Sequence, residues 1–76
     1  MEIDKIKSII EAILFAAGRQ VTIKELMISL EIPKEDLENI IVPMQEDYRE
    51  QSRGIEIIKV DDSYQLCTKK ELYELL

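Results

Sequence analysis

Two β-favouring runs separated by a polar turn restrict the fold of this chain more than any other feature. They occupy residues 54–68, which read Gly-Ile-Glu-Ile-Ile-Lys-Val-Asp-Asp-Ser-Tyr-Gln-Leu-Cys-Thr. Runs of this length and composition around a short polar segment are typical of a β-hairpin. The sequence therefore predicts a hairpin near the end of the chain, with Asp61 and Asp62 as turn residues.

The register of this hairpin stays open at the level of sequence, because both faces of its first strand carry apolar residues. A three-residue loop would set Val60 opposite Tyr64 and Ile58 opposite Leu66. A two-residue loop would instead pair Ile57 with Leu66.

The first helix is predicted over residues 4–17. Apolar residues recur there at spacings of three and four, which is the pattern of an amphipathic helix with a broad buried stripe. Gly18 follows the last periodic residue, where glycine adopts a left-handed cap at little cost. We expect the helix to end at this glycine. The stripe comprises Ile3, Ile6, Ile9, Ile10, Ile13, Leu14 and Ala17.

A second helix is predicted to begin at Ile23. Thr22 and Glu25 have the spacing of a capping box, in which each side chain satisfies a backbone N–H at the helix start. A short strand at Gln20 and Val21 would precede it, and Ile23, Leu26, Met27 and Leu30 form its apolar face.

A third helix is predicted to start near Lys34, with Pro33 at its first helical position, where the missing N–H would be unbonded anyway. Leu37, Ile40, Ile41, Met44 and Tyr48 keep one helical phase on both sides of Pro43. We therefore expect one kinked helix that ends before Gly54, with the bond from residue 43 to Asn39 lost.

Three helices followed by a hairpin indicate an α+β, mainly helical domain with the winged helix-turn-helix fold, in which the hairpin is the wing. After the wing, Thr68 and Glu71 repeat the capping-box spacing. This pattern predicts that a further apolar helix opens there, through Leu72, Tyr73, Leu75 and Leu76.

The charge of the chain conflicts with the usual role of this fold in DNA binding. The chain carries 10 Lys and Arg against 16 Asp and Glu, a formal net charge of −6. Residues 33–53, which contain the helix that would enter a major groove, hold six acids and three bases. Phosphates would be repelled along most of that helix, so we expect no sequence-specific binding of nucleic acid by this domain.

The sequence offers little for catalysis or metal binding. There is no histidine, and Cys67 is the only cysteine. Neither an internal disulfide nor a cysteine cluster for zinc is possible. We expect no cofactor, no metal and no enzymatic activity, with Cys67 on a strand as a small core residue or a half-buried one. Lys59, Lys69 and Lys70 are too few for a phosphate-binding stripe and are expected to be solvated.

Phe15 lies well away from the isoleucine stripe of the first helix, at about 100° per residue. Either another element of the fold covers it, such as the second helix or the wing, or it belongs to a protein interface, where aromatic residues are enriched. A 76-residue domain buries a limited share of its surface, which favours a partner. We predict a dimer contact on the first helix that includes Phe15, Ile3 and Ala12.

Several segments together resemble a bacterial protein family. Residues 9–18 read Ile-Ile-Glu-Ala-Ile-Leu-Phe-Ala-Ala-Gly, residues 53–57 read Arg-Gly-Ile-Glu-Ile, and residues 64–69 read Tyr-Gln-Leu-Cys-Thr-Lys. With Val21-Thr22 and Glu25-Leu26 between them, they are similar in order to the segregation and condensation protein B (ScpB) family. Pro43 departs from the uninterrupted third helix of that family.

The resemblance implies two winged-helix domains in tandem, of which residues 1–68 would be the first and residues 69–76 the start of a linker helix to the second. It also implies a non-enzymatic subunit that forms a homodimer, largely through its first domain. Such a subunit binds the kleisin ScpA, and through it the SMC ATPase, in chromosome condensation and segregation.

Two alternatives remain at this level: a winged-helix transcriptional regulator that binds DNA, and an accessory domain of an enzyme. No apolar run reaches the roughly 18 residues of a membrane span, and Glu2 and Asp4 do not fit the basic start of a signal peptide. We expect a cytoplasmic, nucleoid-associated protein with no membrane partner.

Overall fold

The computed structural model describes residues 2–76, and Met1 lies outside the described residues. Its helices and strands follow the order predicted for a winged helix-turn-helix, which confirms the fold class. A three-stranded antiparallel sheet has the strand order β1-β3-β2. The elements are α1 (Ile3–Ala17), β1 (Val21–Thr22), α2 (Ile23–Leu30), α3 (Lys34–Glu50), β2 (Ile55–Val60), β3 (Ser63–Thr68) and a terminal 3-10 helix (Lys70–Leu75).

Helix α1 begins at Ile3, one residue before the predicted start, and ends as predicted. Gly18 adopts a φ of 60°, and its N–H donates to the Leu14 carbonyl at 3.4 Å. Ile6, Ile10 and Leu14 are buried in the core. The apolar stripe and its glycine cap therefore set both the buried face and the end of this helix.

The start of α2 uses one half of the predicted capping box. The Thr22 hydroxyl accepts the N–H of Glu25 at 3.1 Å. The Glu25 carboxylate makes no hydrogen bond to the N–H of Thr22 and pairs instead with the Arg19 guanidinium at 3.3 Å. Thr22 is also a residue of β1, so its backbone belongs to the sheet as well as to the cap.

Pro33 precedes α3 instead of occupying its first helical position, so that prediction was wrong by one residue. Its φ of −62° suits a helix, but its ψ of 154° is extended. The Pro33 carbonyl nevertheless accepts the first helical bond, from the N–H of Leu37 at 3.0 Å. The proline therefore serves as the N-cap.

Pro43 lies inside a single 17-residue helix, which confirms that α3 continues through it. Leu37, Ile41, Met44 and Tyr48 are buried on one face, and Ile40 is partly buried. Packing of this face against α1, α2 and the wing holds the helix together across the missing bond. The bend at Pro43 stays a prediction.

The wing has the two-residue loop, with Asp61 and Asp62 between paired Val60 and Ser63. Asp61 adopts a φ of 55°, in the left-handed region that Asp tolerates better than most residues. This register pairs Ile57 with Leu66, as predicted for a two-residue loop.

The sheet is anchored to the helices by two polar contacts. The Asp62 carbonyl accepts the N–H of Ile23 at 2.7 Å, which ties the wing turn to the first residue of α2. On the other side, the Gln45 amide donates to the Ile57 carbonyl at 3.2 Å. Strand β2 is an edge strand, and this bond from α3 satisfies one of its outward-facing groups.

The capping box predicted after the wing does not form. Thr68 is the last residue of β3, and Lys69 precedes a 3-10 helix without a side-chain cap. Lys69 is itself buried, and its ammonium group donates to the Gln51 carbonyl at 3.1 Å while its N–H donates to the Gly54 carbonyl at 2.8 Å. Strand pairing and these bonds to the α3–β2 connection determine the local structure in place of the cap.

Replacing Pro43 with Ala should stabilise the domain. Alanine restores the N–H that can donate to the Asn39 carbonyl, and we expect a gain in the free energy of unfolding of about 1 kcal/mol. Chemical denaturation measures it, with Val42→Ala at the exposed neighbouring position as a control. A lower denaturation midpoint in Pro43→Ala would show that the fold requires the proline.

Candidate functional site

Helix α1 exposes a large aromatic side chain. Phe15 is 71% exposed, so neither α2 nor the wing covers it. The expectation that another element of the same fold buries Phe15 is therefore wrong, and the alternative of an interface residue remains. An exposed phenylalanine beside further apolar surface is characteristic of a protein contact.

Phe15 borders a groove between α1 and the sheet, which we call the wing groove. Its volume is about 450 Å³, and apolar atoms form most of its lining. Ile55 and Leu66 provide the strand side, on the same face of the sheet that packs against the core. The lining residues are Glu11, Ala12, Phe15, Ile55 and Leu66.

A second apolar groove lies where the start of α1 meets the connection between α2 and α3, and we call it the turn groove. Its volume is about 410 Å³, and its lining is also mainly apolar. Ile3, at 59% exposure, is its most open isoleucine. The lining residues are Ile3, Ile6, Ile32, Pro33, Asp36, Asn39 and Ile40.

The three residues predicted for a dimer contact do not all lie in the same groove. Ala12 and Phe15 meet in the wing groove, whereas Ile3 lies in the turn groove. Nine residues separate Ile3 from Ala12, which is about 13 Å along the helix and two and a half turns around it. The two positions therefore lie on opposite sides of α1 and belong to separate surfaces.

A hydrogen bond between α1 and α3 lies beside the wing groove. The Tyr48 hydroxyl donates to the Glu11 carboxylate, and Tyr48 is almost fully buried. The Arg53 guanidinium lies 5.0 Å from the centroid of the Tyr48 ring, within range of a cation–π contact. The Tyr48–Glu11 bond joins the last turns of α3 to α1, and Glu11 also lines the wing groove.

This environment keeps Tyr48 protonated. Burial raises its pKa to about 12, and Glu11 adds to the shift both as hydrogen-bond acceptor and as a nearby negative charge, while Arg53 opposes it. Tyr48 therefore acts as a hydrogen-bond donor at neutral pH. The contact joins residues 37 positions apart in sequence, and the helical pattern alone identified Tyr48 only as a core residue.

The environment of Cys67, the only cysteine in the sequence, does not activate its thiol. Cys67 is half-buried on β3, as predicted; burial raises the pKa of its thiol, and the Glu56 carboxylate raises it further. A thiol in this state is a poor nucleophile. Within residues 2–76, no cluster of His, Cys, Asp and Glu side chains could hold a metal ion. In the same range, no helix is long and apolar enough to cross a membrane.

The three lysines near the wing do not form one basic surface. Lys69 is buried, so its predicted solvation was wrong: the free carbonyl of Gln51 gives its ammonium group an internal partner. Lys59 lies 4.0 Å from the Glu38 carboxylate, at the limit of an ion pair. Only Lys70 lacks such a contact among the three in the described residues.

Comparisons with known proteins agree on one family. The family profile described as "Segregation and condensation complex subunit ScpB" matches residues 8–76. Segregation and condensation protein B of Clostridioides difficile is 42% identical over 78 aligned positions, which cover 100% of this chain and 44% of that protein. The Bacillus subtilis protein of the same name is 44% identical over 66 positions, covering 86% of this chain and 34% of the relative. The chain thus spans less than half the length of these relatives.

A solved structure shares the fold closely. It is described as the crystal structure of a dimer of the ScpB N-terminal domain complexed with ScpA peptide. The TM-score is 0.89 at 31% sequence identity, with 96% of this chain and 91% of that chain covered. The similarity extends over almost all of the elements that form the two grooves.

Replacing Tyr48 with Phe should remove the bond to Glu11 and lower the free energy of unfolding by about 1.5 kcal/mol at pH 7, since the acceptor is charged. A raised tyrosine pKa means that the folded state holds the proton more tightly than the unfolded chain. The stabilisation is therefore present below pH 10 and is lost as the pH rises towards 12.

Urea titrations of both proteins between pH 7 and pH 11 test this expectation. The difference in stability between wild type and Tyr48→Phe should be constant up to about pH 9 and should shrink above pH 10. Tyr73→Phe, at an exposed position, is the control. A difference that stays constant to pH 11 would contradict the role assigned to the tyrosine proton.

Proposed function

The chain belongs to the ScpB family of segregation and condensation complex subunits, and from this premise we propose that it is a non-enzymatic subunit of an SMC–kleisin complex. In this role it forms a homodimer and binds the kleisin ScpA, and through ScpA it reaches the SMC ATPase. Its relative of known structure, a dimer bound to ScpA peptide, supports both contacts.

The observation that carries the dimer proposal is the exposed Phe15 in the wing groove. A two-fold dimer brings the same surface of both copies together, so the surface must be complementary to itself. The wing groove has this property, because it offers both a projecting aromatic ring and an apolar floor of Ile55 and Leu66. The Phe15 ring of each copy would fill the groove of the other, with Ala12 leaving room for close approach of the two helices.

The charge distribution favours a protein partner over DNA. Helix α3, the helix that would enter a major groove, is acidic on balance. The wing adds little positive charge, because Lys59 lies next to Glu38 and Lys69 is turned inward. The winged-helix transcriptional regulator is therefore the weaker candidate.

The proposal also includes the segment that follows the wing and the location of the protein. Residues 69–76 would begin a linker towards a second winged-helix domain, and the exposure of Tyr73, Leu75 and Leu76 supports a packing partner for this segment. The chromosomal role of the family supports a position at the nucleoid in the cytoplasm.

Replacing Phe15 with Glu should yield a folded monomer. The wild-type domain is expected to dimerise, and a carboxylate buried without a partner in the apolar contact is strongly disfavoured. Sedimentation equilibrium gives the mass, and circular dichroism verifies the fold. Ile28→Glu is the matched control, because Ile28 is 73% exposed and lines neither groove. A wild type that stays monomeric at high micromolar concentration, or a Phe15→Glu variant that stays dimeric, would contradict the proposal.

Binding to duplex DNA should be no tighter than non-specific binding, with a dissociation constant weaker than about 10⁻⁶ M at physiological salt. The acidic α3 is the physical reason. A mobility-shift titration with random and palindromic duplexes measures this, and low salt serves to reveal residual electrostatic binding. A sub-micromolar, sequence-dependent constant at physiological salt would favour the transcriptional regulator instead.

A further inference from the structure

We propose that the turn groove is the docking site for the peptide partner, and that it takes a segment carrying apolar side chains next to a lysine or arginine. The proposal rests on the proposed function, because the partner is the ScpA peptide. It assigns the peptide to a different side of α1 from Ala12 and Phe15, and it gives a role to Pro43.

The turn groove presents apolar surface at three different elements. Ile3 comes from the start of α1, Ile32 from the connection between α2 and α3, and Ile40 from α3. Ile3 is 59% exposed, while Ile6 below it is almost fully buried, so the groove has an open border and a packed floor. A peptide side chain placed there would cover Ile3 and contact all three elements.

Pro43 removes the regular helical donor of the carbonyl of Asn39, a residue that lines this groove. In a regular helix the N–H of residue 43 would donate to the Asn39 carbonyl, and proline has no N–H. Asp36, Asn39 and Ile40 line the groove, and Pro43 lies one helical turn after Asn39 on the same side of α3. A backbone carbonyl that loses its regular helical donor can accept a hydrogen bond from another donor, including a ligand.

Acidic residues outnumber basic residues in and next to the groove along the chain. Asp36 is one of its lining residues, and Glu2, Asp4, Glu31 and Glu35 adjoin lining residues along the chain. Lys5, Lys7 and Lys34 also adjoin lining residues, so the acids exceed the bases without excluding them, and the chain as a whole carries −6. A cationic side chain of the partner would meet both the Asp36 carboxylate and the Asn39 carbonyl, which lacks its regular helical donor.

The same charge disfavours a second copy of this chain in the turn groove. Two copies joined there by a two-fold axis would place the Asp36 carboxylates near each other, and like charges facing each other across an interface cost affinity. The turn groove also has no aromatic side chain among its lining residues that could enter the same groove of a second copy. Because Ala12 in the wing groove lies on the opposite side of α1 from Ile3, dimer formation leaves the turn groove open.

Titration calorimetry with a synthetic ScpA peptide tests the assignment on the dimeric protein. Ile3→Asp should weaken binding at least about tenfold by putting charge into the apolar border. An acid in the first turn of α1 suits the helix dipole, so the fold should persist. Ile28→Asp is the matched control, with unchanged affinity expected, and both variants should remain dimers.

Pro43→Ala tests the acceptor separately. The alanine N–H would occupy the Asn39 carbonyl, so the affinity should fall about three- to tenfold although the domain becomes more stable. Asp36→Asn should weaken binding and reduce its dependence on salt. Unchanged affinity in Pro43→Ala would overturn the part assigned to Asn39.

The outcomes separate this inference from the proposed function. If the wild type binds the peptide, while Ile3→Asp and Asp36→Asn bind as tightly as wild type, the turn groove is overturned as the docking site and ScpA binding stands. If the wild-type dimer does not bind the peptide at all, both the proposed binding of ScpA and its assignment to the turn groove are overturned. Loss of dimer mass in Ile3→Asp would assign the turn groove to self-association and overturn the inference.

Discussion

The two-residue turn at Asp61 and Asp62 is the constraint on which the rest of the structure depends. Side chains alternate between the faces of a strand, so a shift of one residue in the wing would exchange the buried face for the outer one. With this turn, Ile57 and Tyr64 enter the core. The Asp62 carbonyl also holds the N–H of Ile23, so the turn that sets the sheet register also fixes the start of α2.

The same register forms the wing groove, because it places Leu66 and Ile55 on the face of the sheet that α1 covers only in part. The contact between Tyr48 and Glu11 then holds the end of α3 at the border of that groove. The packing of the wing and of α3 against α1 therefore shapes this part of the surface. What the surface offers is shape, apolar area and charge.

The local signals in the sequence predicted the helices well. Gly18 and Thr22 each act through bonds to residues three or four positions away, so their effects are visible in the sequence. The wing register was not determined by the sequence, because apolar residues occupy both faces of β2 and only the packed core distinguishes them. The predictions of a solvated Lys69 and of a capping box at Thr68 were wrong for a related reason. The carbonyls that bind Lys69 lie in the α3–β2 connection, 15 and 18 positions earlier in the sequence.

The candidate site was predictable to a similar extent. Helical spacing alone places Phe15 away from the buried stripe of α1, and this position was enough to suggest an interface residue. Its partners in the groove, Ile55 and Leu66, lie about 40 and 50 residues further on and depend on the register. The separation of Ile3 from Ala12 follows from helix geometry, but the turn groove needed the α2–α3 connection, whose path the sequence did not determine.

The two bonds of Lys69 have a mechanical consequence. Its N–H holds the chain before β2, and its ammonium group holds the end of α3, at the point where the backbone leaves the sheet. A pull on the residues after Lys69 would therefore load α3 and the wing together, and neither could peel away first without breaking a buried contact. Such a junction would behave as a clamp that transmits force from the terminal segment to the domain, and not as a hinge.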